Sequence, residues 1–174
     1  MIPKKLLVLL WCVVKSSSNH VPIERLFGGV RVEPGELPFT VQILLESITF
    51  SGSILTDRLI LTAAHSVCGH TFQPEAFEVI AGQYDLLVWE SSRQSRSVQE
   101  VFAHPDYRSL VIGLHDVALL LLAAPFEFTN FVQPVAVDYS DAYPSTVAML
   151  AGYGTILLNG EQAKFLMVKL FLII

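Results

Sequence analysis

Short apolar runs alternate with polar punctuation along the whole chain, and no long amphipathic stretch interrupts that rhythm. The runs Phe39 to Leu45, Ser53 to Leu55, Leu59 to Thr62, Ala76 to Ala81, Ser97 to Ala103 and Val117 to Leu122 are strand-like. They are rich in residues that suit a pleated, half-buried surface. Turn-forming clusters separate them at Glu33-Pro34-Gly35-Glu36, Thr56-Asp57-Arg58 and His104-Pro105-Asp106. Val117 to Leu122 is apolar at consecutive positions, which predicts a strand buried on both faces. The segment from Ala124 to Ser145 carries three prolines and reads as a connection. Thr146 to Leu150 and Phe165 to Ile174 then predict two further strands around a turn at Leu158-Asn159-Gly160. The pattern is that of an all-β antiparallel sandwich or barrel.

Composition adds a compartment. The first eighteen residues have a positive start at Lys4 and Lys5, an apolar run from Leu6 to Val14, and the small residues Ser16-Ser17-Ser18. That order predicts a secretory signal peptide over residues 1–18 and a secreted, extracellular product. The apolar run is far shorter than the ~20 residues that span a bilayer, so no membrane span is expected. Of the two cysteines, Cys12 falls inside the signal. Cys68 is then left alone and is expected to be buried. A net charge of −5 provides no basic surface for nucleic acid. With 174 residues, 52% of them hydrophobic, the chain suits one globular domain or slightly more. Periodicity and composition carry the reading to a secreted all-β protein and say nothing of its function.

Several motifs carry a resemblance that periodicity does not. Arg25-Leu26-Phe27-Gly28-Gly29 resembles the activation site of the trypsin and chymotrypsin family of serine endopeptidases. Pro38-Phe39-Thr40-Val41-Gln42 resembles the start of that family's first long strand. Ser51-Gly52-Ser53-Ile54-Leu55 followed by Ile60-Leu61-Thr62-Ala63-Ala64-His65 is similar to the segment carrying its catalytic histidine. His104-Pro105-Asp106-Tyr107 and His115-Asp116-Val117-Ala118-Leu119-Leu120 resemble the stretch carrying its catalytic aspartate. Gly152-Tyr153-Gly154 resembles the Gly-Trp-Gly signature of its second barrel. Thr-Ala-Ala-His is the most specific of these pieces, and all of them occur in the family's order.

The resemblance implies a chymotrypsin-like antiparallel β-barrel, the first barrel complete and the second only begun. It divides the chain into a short propeptide at 19–25, a first barrel at 26–123, a linker at 124–145 and the start of a second barrel at 146–174. It assigns His65 as general base and Asp116 as the carboxylate that orients it. Such a base makes a hydroxyl nucleophilic at neutral pH, and the carboxylate fixes the tautomer. Activation would be cleavage between Arg25 and Leu26. His104 and His115 read as turn and loop residues. The family's nucleophile lies in a Gly-Asp-Ser-Gly-Gly segment, and no serine follows Ser145 here. The resemblance therefore implies an N-terminal fragment without a nucleophile, inactive alone, that continues in a longer product.

Other departures from the family bear on stability and metals. The positions that bridge the histidine loop match Phe50 and Ser66, and further cysteine positions match Ala136 and Ala148. Loss of a bridge around the histidine removes roughly 2–4 kcal/mol of stabilisation. The turn that binds calcium in some relatives is matched poorly by Gln83 to Arg93, because Arg93 stands where an acidic ligand would be. No metal and no cofactor are expected. Protein or peptide substrates, or inhibitors, are the implied partners of a monomeric protein. Two rivals remain, a non-catalytic secreted homologue that binds a protein partner and a secreted β-sandwich adhesion domain. Retention of both His65 and Asp116 favours the enzyme over the first, and the second has no motif behind it.

Overall fold

In the computed structural model the described residues are 30–108, 114–137, 147–153 and 165–172. The proposed signal, propeptide and activation site, together with the turn at 158–160, lie outside them. Nine strands occur among the described residues: β1 (Val30–Arg31), β2 (Thr40–Leu45), β3 (Ile48–Ile54), β4 (Leu59–Thr62), β5 (Phe77–Ala81), β6 (Gln94–Ala103), β7 (Ala118–Leu122), β8 (Val147–Gly152) and β9 (Met167–Leu172). Six of them close an antiparallel barrel in the order β2-β3-β4-β7-β6-β5, and the other three form a sheet in the order β1-β9-β8. This is the chymotrypsin-like all-β architecture.

Side chains from every barrel strand fill its interior, with Val41, Ile43, Ile54, Ile60, Val79, Leu120 and Leu122 fully buried. Gly52 on β3 is required by close approach. A Cβ there would lie 2.9 Å from Ile43 Cδ1 and 3.0 Å from the Leu61 carbonyl. Strand β3 is longer than the sequence suggests, because Ile48 to Gly52 reads as mixed and polar yet pairs along its whole length with β2. Likewise β6 begins at Gln94, where Gln94, Ser95 and Arg96 pair with β5.

Strand β7 corrects the expectation of burial on both faces. Its residues alternate, with Ala118, Leu120 and Leu122 buried and Leu119 and Leu121 half-buried. The barrel wall has one interior, so consecutive leucines divide between core and surface. Conversely, β2 is buried more evenly than alternation allows, with Thr40 and Gln42 nearly as enclosed as Val41 and Ile43. Strand β8 of the second sheet lies against β2 and β3.

The connection after β7 is strapped to the barrel rather than loose. Phe126 and Val132 sink into the core, and the amides of Gln133 and Val135 donate to the carbonyls of Pro38 and Ile54 at 3.0 and 2.9 Å. A second small core of Val32, Leu37, Tyr84, Tyr153 and Leu166 forms beside this sheet, with Ala151 of β8 packed against it. Strand β1 pairs with β9 and not with the barrel, which ties the start of the described chain to its end. Among the described residues no helix is long and apolar enough to cross a membrane.

Candidate active site

Strand β4 leaves the barrel into a single 3-10 turn, Ala64–Ser66, with Ala63 in extended conformation before it. Ala63 and Ala64 are fully buried. Small side chains let the chain pass over the barrel end, and the turn then presents His65 at its rim. Thr62 secures the approach by donating its hydroxyl to the Ser51 carbonyl at 3.1 Å.

Asp116 arrives from the neighbouring strand. Strands β4 and β7 pair with Thr62 opposite Ala118. His65 follows the first by three residues and Asp116 precedes the second by two, so register alone brings them together. The Asp116 carboxylate makes two contacts with this one residue. Oδ1 accepts from the His65 backbone N–H at 2.8 Å, and Oδ2 lies 2.5 Å from the ring Nδ1. Both side chains keep about a fifth of their surface exposed, at 19% and 20%. An ionised carboxylate only accepts, so the proton of the neutral ring belongs on Nδ1 and the lone pair on Nε2. Nε2 is buried and has no hydrogen-bond partner among the described residues. A ring held this way can take a proton at Nε2 and hold the resulting charge against a carboxylate.

The turn around Asp116 is tight. His115 has φ 55°, in the left-handed region, and the Val117 amide donates to the His115 carbonyl at 2.8 Å. The rings of His104 and His115 stack at 4.7 Å between centroids with 13° between planes. Tyr107 stands close by, its hydroxyl pushed up from the usual phenol range by burial first, then by the charge of Asp116 and by Cys68. Sequence reasoning missed both features. The two histidines were read as separate turn and loop residues, and only the pairing of β6 with β7 reveals them as neighbours.

Cys68 is exposed, not buried. Its amide still donates to the Ala64 carbonyl at 2.8 Å, but the inward position at the end of this turn belongs to the fully buried Val67. Phe50 packs partly buried against the barrel core, and Ser66 is buried.

The loop from Gln83 to Arg93 is organised around a guanidinium. Arg93 Nε donates to Gln83 Oε1 at 2.9 Å, its Nη2 reaches Glu78 at 3.3 Å, and its Cζ sits 4.6 Å from the Trp89 ring centroid. Gln83 Nε2 donates to the carbonyls of Asp85 and Val88, and the Glu90 carboxylate accepts from the amides of Tyr84 and Asp85. The cation at the centre of this loop is a side chain. Among the described residues no group of three or more His, Cys, Asp or Glu could hold a metal ion.

Comparison with known proteins agrees with this geometry. A family model described as Trypsin matches residues 26–171. Coagulation factor IX of Oryctolagus cuniculus is 27% identical over 161 residues, covering 88% of this chain and 57% of the relative. Trypsin II-P29 of Gallus gallus is 28% identical over 137 residues, covering 79% and 52% respectively. Ovochymase-2 of Mus musculus is 27% identical over 145 residues, covering 82% of this chain and 24% of the relative. The chain thus spans about half the length, or less, of these relatives.

Proposed function

Since the chain belongs to the trypsin family of serine proteases, we propose that its site works in peptide-bond hydrolysis, with His65 as general base and Asp116 as the group that orients it. The observation that carries this reading is the double grip of Asp116 on His65, which leaves Nε2 free to accept a proton. The nucleophile would be a seryl hydroxyl delivered to Nε2. Its proton would pass to the imidazole as the oxygen attacks the substrate carbonyl, and would then go to the leaving amine as the acyl-enzyme forms. Asp116 would stabilise the imidazolium while it lasts. No serine after Ser145 offers that hydroxyl, so residues 1–174 alone are expected to lack cleavage activity.

The same reading makes the protein a secreted monomer with a signal peptide at 1–18 and a zymogen cleaved between Arg25 and Leu26. Its partners would be protein or peptide substrates and their inhibitors. The test is to treat the gene's natural product with a fluorophosphonate that labels activated serines. Labelling that disappears in His65→Ala is expected. A natural product that never labels, yet binds a protein partner tightly, supports the second reading instead. That reading is a non-catalytic secreted homologue that acts by binding a protein partner.

A further inference from the structure

We propose that the stacked imidazoles of His104 and His115 form a pH-dependent clasp on the Asp116 turn, closed while the rings are neutral and opened when both are protonated. The clasp rests on the His65–Asp116 pairing argued above and adds a regulation to it.

His104 ends the stretch after β6 and His115 precedes β7, so the ring contact closes the loop between two paired strands. The amide of His104 also donates to the Val117 carbonyl at 3.0 Å. Asp116 thus sits at the apex of a turn pinned on one side by the backbone and on the other by the stack. The backbone of His115 is left-handed, a conformation that a non-glycine residue keeps only where its surroundings hold it there. The His104 ring is tied to its own turn as well. Its Nδ1 accepts the Asp106 amide at 3.1 Å, which a protonated nitrogen cannot do.

Charged groups near the pair are few. Arg108, in the same turn as Asp106, donates to the carbonyls of Pro105 and Tyr107. Asp116, adjacent to His115, uses one carboxylate oxygen on the amide of His65 and the other on its ring. The exposed carboxylate of Asp106, two residues from His104, the phenol of Tyr107 and Cys68 are the other titratable groups around this turn among the described residues, and residues 109–113 carry no ionisable side chain. None of these contacts places a carboxylate between the two rings to absorb a second positive charge.

Imidazole changes charge between pH 5 and 8. One proton leaves the stack intact. A second sets like charges face to face, and with the His104 ring protonated the Asp106 amide has lost its acceptor. The exposed His115 ring then swings to water, its strained turn relaxes, and Asp116 leaves His65. Protonation of His65 itself works the other way, because an imidazolium binds the carboxylate more strongly. Acid release of Asp116 therefore reports the clasp and not the base.

The experiment follows the Nδ1 proton of His65 by NMR in the full chain as the pH is lowered from 8 to 5, in the wild type and in His115→Asn. Asparagine tolerates the left-handed backbone, and His104→Gln, which keeps an acceptor for Asp106, is the companion variant. The wild-type resonance should vanish as the pH falls across this interval, and in both variants it should persist to at least about one pH unit below the wild-type midpoint. Identical acid loss in wild type and variants would overturn the clasp while leaving the pairing intact. Loss in a folded variant at every pH would reduce the stack to a structural support and overturn the switch. Absence of the resonance from the wild type throughout would overturn the pairing itself.

Discussion

At the scale of single residues, the site depends on which atom carries a proton. Asp116→Asn keeps the shape of the carboxylate but turns an acceptor pair into one acceptor and one donor, and so favours the wrong imidazole tautomer. In a longer product that carries the proposed nucleophilic serine, this change should lower kcat by about 10⁴-fold with little effect on KM, read from steady-state peptide hydrolysis. Gly82 shows a different kind of necessity. Its φ is +69°, and a Cβ would stand 2.3 Å from the Ser92 carbonyl oxygen, inside the loop that Arg93 organises. Gly82→Ala should therefore destabilise the fold by roughly 2–4 kcal/mol, measured by urea unfolding. Neither requirement shows in the residue type alone. Gly82 reads as ordinary turn punctuation, and an aspartate opening a strand is usually a solvated turn residue.

Among the strands, the alternation within β7 makes a sharp prediction. Leu120 is fully buried and Leu121 is not, although the sequence treats them alike. Leu120→Ala should reduce stability by about 2–5 kcal/mol, whereas Leu121→Ala should lose under half as much, compared in one denaturant series. Most of the barrel was legible before the structure, since β2, β4, β5 and β7 sit within a residue of the apolar runs that announced them. The rest was not, for identifiable reasons. Ile48 to Gly52 and Gln94 to Arg96 are strands because a neighbour's backbone pairs with them, and their own side chains give no such signal. Strand β1 has two residues and is defined wholly by its partner β9. His65 and Asp116 were legible only through motif resemblance. Their contact is a consequence of the β4–β7 register, which no local pattern states.

For the whole molecule, the junction between barrel and second sheet is what the single residue Tyr153 exposes to test. Its amide donates to Ser51 Oγ on β3 at 3.1 Å, and its buried hydroxyl donates to the Gln83 carbonyl at 2.5 Å. Burial, with a smaller contribution from Glu90, pushes this phenol far above its ordinary range. A folded-state pKa raised above the unfolded value means stability that is complete below about pH 10 and lost as the pH rises further. The alkaline limb of a Tm-versus-pH curve should therefore fall steeply. In Tyr153→Phe it should be shallower, though not flat because Tyr107 shifts the same way, and the unfolding free energy at neutral pH should drop by about 1–3 kcal/mol as the Gln83 carbonyl loses its donor. The β4–β7 pairing also has a consequence in time. Strands β5 and β6 intervene between its two members, so this contact belongs to the non-local class that forms late and slowly. A nascent chain emerging from the ribosome thus carries an unanchored histidine until β7 has docked, and the base proposed at His65 is not oriented before the barrel closes.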